Sequence, residues 1–340
     1  MTTERLPAFG PRWLYRFFSF WDSLPIPGWL AGAAVALAFA VVFHLAAWQQ
    51  GALPPGQLDN YLSILGLVLV VIPATWGFFT RRGHQALIQF FQNAKSRAQI
   101  EKIAADFNSL PSAVLFLVLG VLWGYADYFF IFKTQIPLSA LVLPQLSLIT
   151  WLAIHALGTL LLGRTLRQLG LMRRFYGEIK VNLFDPLPIY ALSRYGSTTT
   201  IVFLLLTYTV GLLAVSHFFT SPIGYFFQAI GVVTALLMFF VPLMGTNQRM
   251  RQAKARLLAQ LGKDIEVVYL LVHSAVQKRE FAKLARIQTG VMSLKNEQEI
   301  IQRIPTWPWQ PGTLLNLLTP MLIPVIVYLI QRFFGAMFGL

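Results

Sequence analysis

Seven stretches of this sequence, residues 28–47, 62–80, 112–132, 138–163, 200–219, 223–245 and 313–330, are apolar and long enough to cross about 30 Å of hydrocarbon. Inside a bilayer the backbone must satisfy its own hydrogen bonds, so runs of this kind fold as helices. The basic residues between them give the direction of threading. Of 27 Lys and Arg, 25 fall before the first span or in the second, fourth and sixth connections, and two fall elsewhere. The positive-inside rule makes the rich side cytoplasmic. The chain is therefore expected to be an all-α multi-pass protein of the cell membrane, with about seven transmembrane helices, its N-terminus cytoplasmic and its C-terminus outside.

Composition agrees: 56% of residues are hydrophobic and 12% charged, against about 25% charged in soluble domains. Mean hydropathy is +0.61. Arg5, Arg12 and Arg16 precede the first apolar stretch, which is too long for a signal peptide and lacks a small-residue cleavage pattern, so an uncleaved first span is expected. Without any cysteine there is no disulfide, thiolate metal site or thiol nucleophile. The net charge of +14 could suggest nucleic acid. Of the 13 acidic residues, however, only Asp59 and Asp127 lie on the outer side, so the excess belongs to the cytoplasmic face. There it serves orientation and attraction to anionic lipid head groups, and no nucleic-acid partner is expected.

The one long polar run, Thr246 to Arg303, divides the chain into a six-span membrane region (1–245), a helical hairpin (246–304) and a collar with the seventh span (305–340). Leu257, Leu261, Ile265, Val268, Val272 and Ala275 recur every three or four residues, which puts them on one helical stripe. Phe281, Leu284, Ile287, Val291, Leu294 and Ile301 form a second, with Gln298 on the same seam. Between them, residues 277–280 are polar and mark a bend. Two such arms can close on each other as an antiparallel coiled coil, with Leu261 and Ile265 facing the region of Leu294 and Val291.

Elsewhere, Leu87, Phe91, Ile103 and Phe107 are spaced for an amphipathic helix in the second connection, lying on the membrane surface or against the hairpin. Pro111 ends it. Asp185-Pro186 suits the start of a short helix over 187–195, closed by Gly196. The segment 304–312, with three prolines and two tryptophans, reads as an interfacial collar. Asn182-Leu183-Phe184-Asp185-Pro186-Leu187, Ala191-Leu192-Ser193-Arg194 and Ile304-Pro305-Thr306-Trp307-Pro308-Trp309 resemble stretches of a family of bacterial multi-pass integral membrane proteins with no assigned activity. The resemblance spans about residues 178–332 and implies a membrane protein, without any catalytic or ligand residue.

Phosphate-loop, dinucleotide, zincin and nucleophile-elbow motifs are all absent from the sequence. No catalytic residue, cofactor site or cofactor is assigned, and the chain is not expected to be an enzyme. Ionisable residues within spans are the remaining lead, because hydrocarbon makes them costly. They are His44, Asp127, His155 and His217. The first, second and fourth lie toward outer ends of spans and could form a metal or proton site, or serve as hydrogen-bonding groups near the interface. His155 is placed deeper, in the inner half of its span. His84 and His273 read as surface residues. Pro144, Pro320 and Pro324, with Asn316 nearby, suggest kinks, and Gly120 with Gly124 a close helix contact. The function expected is a non-enzymatic anchor, sensor or scaffold whose hairpin meets a cytoplasmic protein or another copy of the chain. A channel or small-solute or ion transporter is the alternative.

Overall fold

Long apolar runs flanked by good helix formers give long helices, and here they run further than the apolar segments themselves. The computed structural model describes residues 28–110, 112–129, 144–179, 181–214, 222–310, 312–323, 325–326, 329–330 and 333. Arg5, Arg12, Arg16, Pro111, His217 and Pro324 lie outside the described residues. Among the described residues all regular structure is helical: α1 (Gly28–Gln49), α2 (Asn60–Phe91), α3 (Arg97–Asn108), α4 (Ala113–Asp127), α5 (Pro144–Glu178), α6 (Leu187–Ala214), α7 (Pro222–Gln277), α8 (Phe281–Arg303) and α9 (Thr313–Met321). Five stretches among them, Leu30–Gln49, Arg97–Asp127, Leu148–Glu178, Leu187–Thr209 and Gln228–Gln277, are long and apolar enough to cross a membrane. The expected span 62–80 lies inside α2, and of 313–330 helix α9 covers Thr313–Met321. Leu37, Val42, Val114 and Leu122 are each more than half exposed. Outward apolar side chains of this kind suit contact with lipid rather than water.

Helix α2 packs against α1, α3, α5 and α6, while α5 also packs on α4 and α7. The largest buried cluster joins Phe90 and Phe91 of α2, Phe107 of α3, Phe175 and Tyr176 of α5, Leu192 and Tyr195 of α6, and Met250 of α7. Several of its rings meet edge-on, as Phe91 and Phe175 do at 5.4 Å, while Phe107 lies tilted against Phe175 and Tyr195. Two expectations are corrected by this core. The amphipathic segment after residue 80 is not one separate helix: α2 continues through Phe91, and α3 packs against α2 and α5. Nor does a short helix end at Gly196, because α6 runs unbroken through it. A Cβ there would meet Met172 Cε at 3.4 Å, so this glycine sits at a packed contact instead of a helix end. Packing outweighs a local stop signal.

Helix α3 is fixed at both ends. Ser96 and Gln99 form a capping box at its start. His84 reaches Glu101 at 3.1 Å, and Arg167 reaches Asp106 at 2.6 Å. His84, expected on the surface, thus bridges α2 and α3, while His273 stays exposed and stacks on Tyr269 at 5.1 Å.

Helix α7 is one piece of 56 residues, about 84 Å at the helical rise. It ends where Glu280 N donates to Ala275 O and Arg279 N to Val276 O, with Arg279 at φ 56°. That paired hydrogen bonding is a Schellman turn, here with arginine in the left-handed position usually held by glycine. Helix α8 returns along α7, since Lys254 Nζ donates to Gln302 O at 2.6 Å and Asn247 Nδ2 to Thr306 O at 2.9 Å. Leu261, Ala275 and Ile301 are buried, and Leu257, Ile265, Val268, Val272, Leu284, Ile287, Leu294 and Gln298 half-buried. Val291 is instead 42% exposed, beside Gly290, which has no side chain to help cover it. Beyond α8, Trp307 and Trp309 stack at 4.4 Å, and Trp309 packs on Phe239 and Phe240 of α7.

Candidate functional site

Helix α5 carries polar side chains on two opposite faces, each fixed by a different neighbour. Toward α4 the contact is close: a Cβ on Gly120 would lie 2.7 Å from Ala156 Cα, and one on Gly124 2.8 Å from His155 Cβ. Only glycine permits that approach. It brings Asp127 at the end of α4 against Trp151 and His155. Trp151 Nε1 donates to Asp127 Oδ2 at 3.1 Å, and His155 Nε2 stands 3.4 Å from the same oxygen. His155 Nδ1 lies 3.0 Å from Trp151 O, which can only accept, so Nδ1 carries a proton.

This pairing revises the depth expected for His155. It sits level with Asp127, because α5 begins at Pro144 and extends to Glu178, far past the apolar segment from which the depth was counted. His44 belongs to a different set of contacts. Its Nδ1 donates to Ala40 O at 2.7 Å, and its Nε2 accepts from Asp59 N at 2.9 Å. Both nitrogens are occupied and the side chain is buried, so His44 neither reaches water nor offers a lone pair to a metal. Among the described residues no group of three or more His, Asp or Glu is placed to hold a metal ion.

On the other face of α5, Arg164 is fully buried. Nη1 donates to Trp76 O at 3.0 Å, and Nη2 donates to Thr80 Oγ1 and Asn108 Oδ1, both at 2.7 Å. The guanidinium carbon also stands 4.3 Å from the Trp76 ring centroid. Gln168, one turn on, donates to the same Asn108 oxygen at 3.2 Å and accepts from Tyr195 Oη at 2.7 Å. One connected set of side chains therefore ties α2, α3, α5 and α6 together. Each oxygen that Arg164 reaches is uncharged, and Nε has no partner among the described residues. Arg164 and Gln168 are buried while Trp76, Thr80 and Asn108 are half-buried, and the arrangement suits holding helices in register.

Arg164 enters the sequence reading only as one of the basic residues of an inner connection. The signal that could have marked it is local: Arg164 and Gln168 stand one helical turn apart in a run otherwise rich in leucine. No family model, no curated protein and no solved structure matches this chain.

Proposed function

We propose that this chain is a seven-span protein of the cell membrane that presents residues 246–304, as a cytoplasmic antiparallel coiled-coil hairpin, to a protein partner, and that it has no catalytic activity of its own. The observation that carries this reading is the unbroken α7. Its apolar half matches a bilayer crossing, and residues 246–277 continue for about 48 Å beyond it. Tyr269 and Leu270 are each 61% exposed on that extension, and Met292 on α8 is 59% exposed. Apolar side chains held out into water away from the seam are what a docking surface requires.

The partition of Lys and Arg sets the threading, with the hairpin on the anionic inner face and the C-terminus outside. A reporter inserted after Lys278 is expected to be cytoplasmic, and one fused after Leu340 to be exported. Both reporting the same side would remove the seventh span. A second reading, a channel or transporter of small solutes or ions, is favoured by one observation, the Asp127–His155 contact inside the helix bundle. Purified protein in proteoliposomes separates the two: proton or ion flux above that of empty vesicles would support transport and count against a scaffold.

A further inference from the structure

The ends of three elements meet around a cleft of about 390 Å³ that lies apart from the hairpin and touches the buried arginine network only through Tyr195. Arg82 and Gln89 come from α2, Arg194 and Ser197 from α6, and Gln310 and Asn316 from the collar and α9. The two α2 residues stand seven apart and so share a helical face, as do the two α6 residues three apart. Among the described residues no carboxylate lines the cleft. Arg194 Nη2 donates to Gln89 Oε1 at 3.4 Å, linking α6 to α2, and the Arg82 guanidinium carbon lies 5.6 Å from the Phe78 ring centroid. Neither arginine has an acidic partner among the described residues. Both are exposed. Two guanidinium forks with amide and hydroxyl donors between them, and no anion to satisfy them, form a receptor for a phosphate-like oxyanion.

The height of the cleft identifies its occupant. Arg82 follows the apolar half of α2, Arg194 precedes the apolar half of α6, and Gln310 and Asn316 flank the point where the chain enters its last apolar run. All three are interfacial positions on the basic side. We infer that this cleft binds the phosphodiester of an anionic phospholipid from the inner leaflet, one molecule held specifically within the diffuse attraction of the basic face. The inference rests on the proposed threading for the level at which the cleft stands, and its chemistry rests on the lining residues alone.

The test uses the full chain, purified in mild detergent and reconstituted into nanodiscs of phosphatidylcholine with or without phosphatidylglycerol. Native mass spectrometry after release then counts retained lipid. Wild type is expected to keep one phosphatidylglycerol through exchange, and Arg82→Gln with Arg194→Gln to bind it about tenfold more weakly or worse. Arg286→Gln with Lys295→Gln removes equal charge from exposed hairpin positions and is expected to behave as wild type. Asn316→Glu leaves both arginines in place, sets a carboxylate in the cleft, and is expected to weaken retention as well. Equal retention by the cleft variants and wild type would overturn the site. Protection of the wild type by inorganic phosphate without any lipid retention would also overturn it, showing a soluble phosphate to be the ligand. Failure of the threading would appear separately, in the reporter fusions.

Discussion

The guanidinium carbon of Arg164 lies 4.3 Å from the ring centroid of Trp76, and its Nη1 donates at 3.0 Å to the carbonyl oxygen of that same residue, 88 positions earlier in the chain. Arg164→Met would remove this contact together with the bonds to Thr80 and Asn108, so that Thr80 Oγ1 loses its donor and Asn108 Oδ1 keeps only the longer bond from Gln168 Nε2. The expected loss is about 3–5 kcal/mol, from the acceptor stranded at Thr80, the weakened bonding at Asn108 and the lost packing. Arg164→Lys keeps the charge but not the fork, and should fall between. Thermal stability in detergent, followed by size-exclusion chromatography, orders the three proteins. Equal stability of Arg164→Met and wild type would show that the network does not hold the helices.

At the α4–α5 contact, Asp127→Asn retains an acceptor for the Trp151 indole while removing the charge that faces His155. Asp127→Ala removes both. The alanine variant is expected to be the less stable of the two by about 1–2 kcal/mol, a hydrogen bond's worth. Thermal unfolding in the same detergent measures it, and an equal loss in both variants relative to wild type would show that charge, not hydrogen bonding, sets the role of Asp127.

Two glycines of the bundle should respond oppositely to alanine. A methyl on Gly120 would press on backbone atoms of α5 at 2.7 Å, so the helices must part, at about 1–3 kcal/mol. Gly170 has nothing within 4 Å of such a methyl, and alanine there should stabilise α5 by about 0.5–1 kcal/mol. Thermal midpoints moving in the same direction would contradict the packing described.

Periodicity made the packing of α7 on α8 legible, because a 3.6-residue repeat puts Leu257, Leu261 and Ile265 on one stripe, of which Leu261 is buried and the other two half-buried. That α4 makes a close contact was equally readable from Gly120 and Gly124, but that α5 makes it was not. The helix ends were not. Charge marks where a chain leaves lipid, but Arg, Gln and Glu are good helix formers. Helices α2 and α5 therefore run on past the apolar segments to meet in the cluster around Phe91, Phe107 and Phe175. Arg164 was hidden for a related reason: its partners Trp76, Thr80 and Asn108 come from elements whose proximity depends on that cluster. His44 failed as a ligand candidate because its acceptor and donor, Ala40 O and Asp59 N, are backbone groups, which carry no mark in a sequence.

The α7–α8 seam can be opened without touching the membrane helices. Leu261→Asp with Ile265→Asp places two carboxylates in it, a change expected to cost several kcal/mol locally, more than about 1 kcal/mol from any exposed ion pair could offset. Limited proteolysis should then cut within residues 246–303 in the variant and spare the wild type, with membrane insertion unchanged. Equal resistance would place the two helices apart.

The most direct test of the proposed role is photo-crosslinking in living cells from single benzoylphenylalanine residues at Tyr269, Met292 and Leu261. The first two side chains stand exposed on α7 and α8, and Leu261 is buried in the seam. If the hairpin presents its apolar surface to a cytoplasmic partner, Tyr269 and Met292 should give the same discrete adduct, identified by mass spectrometry as one protein or as a second copy of this chain. Leu261 should give only cross-links within its own chain. An absence of intermolecular adducts from Tyr269 and Met292, with Leu261 still cross-linking internally, would contradict the proposal, for the hairpin would then be formed and unoccupied.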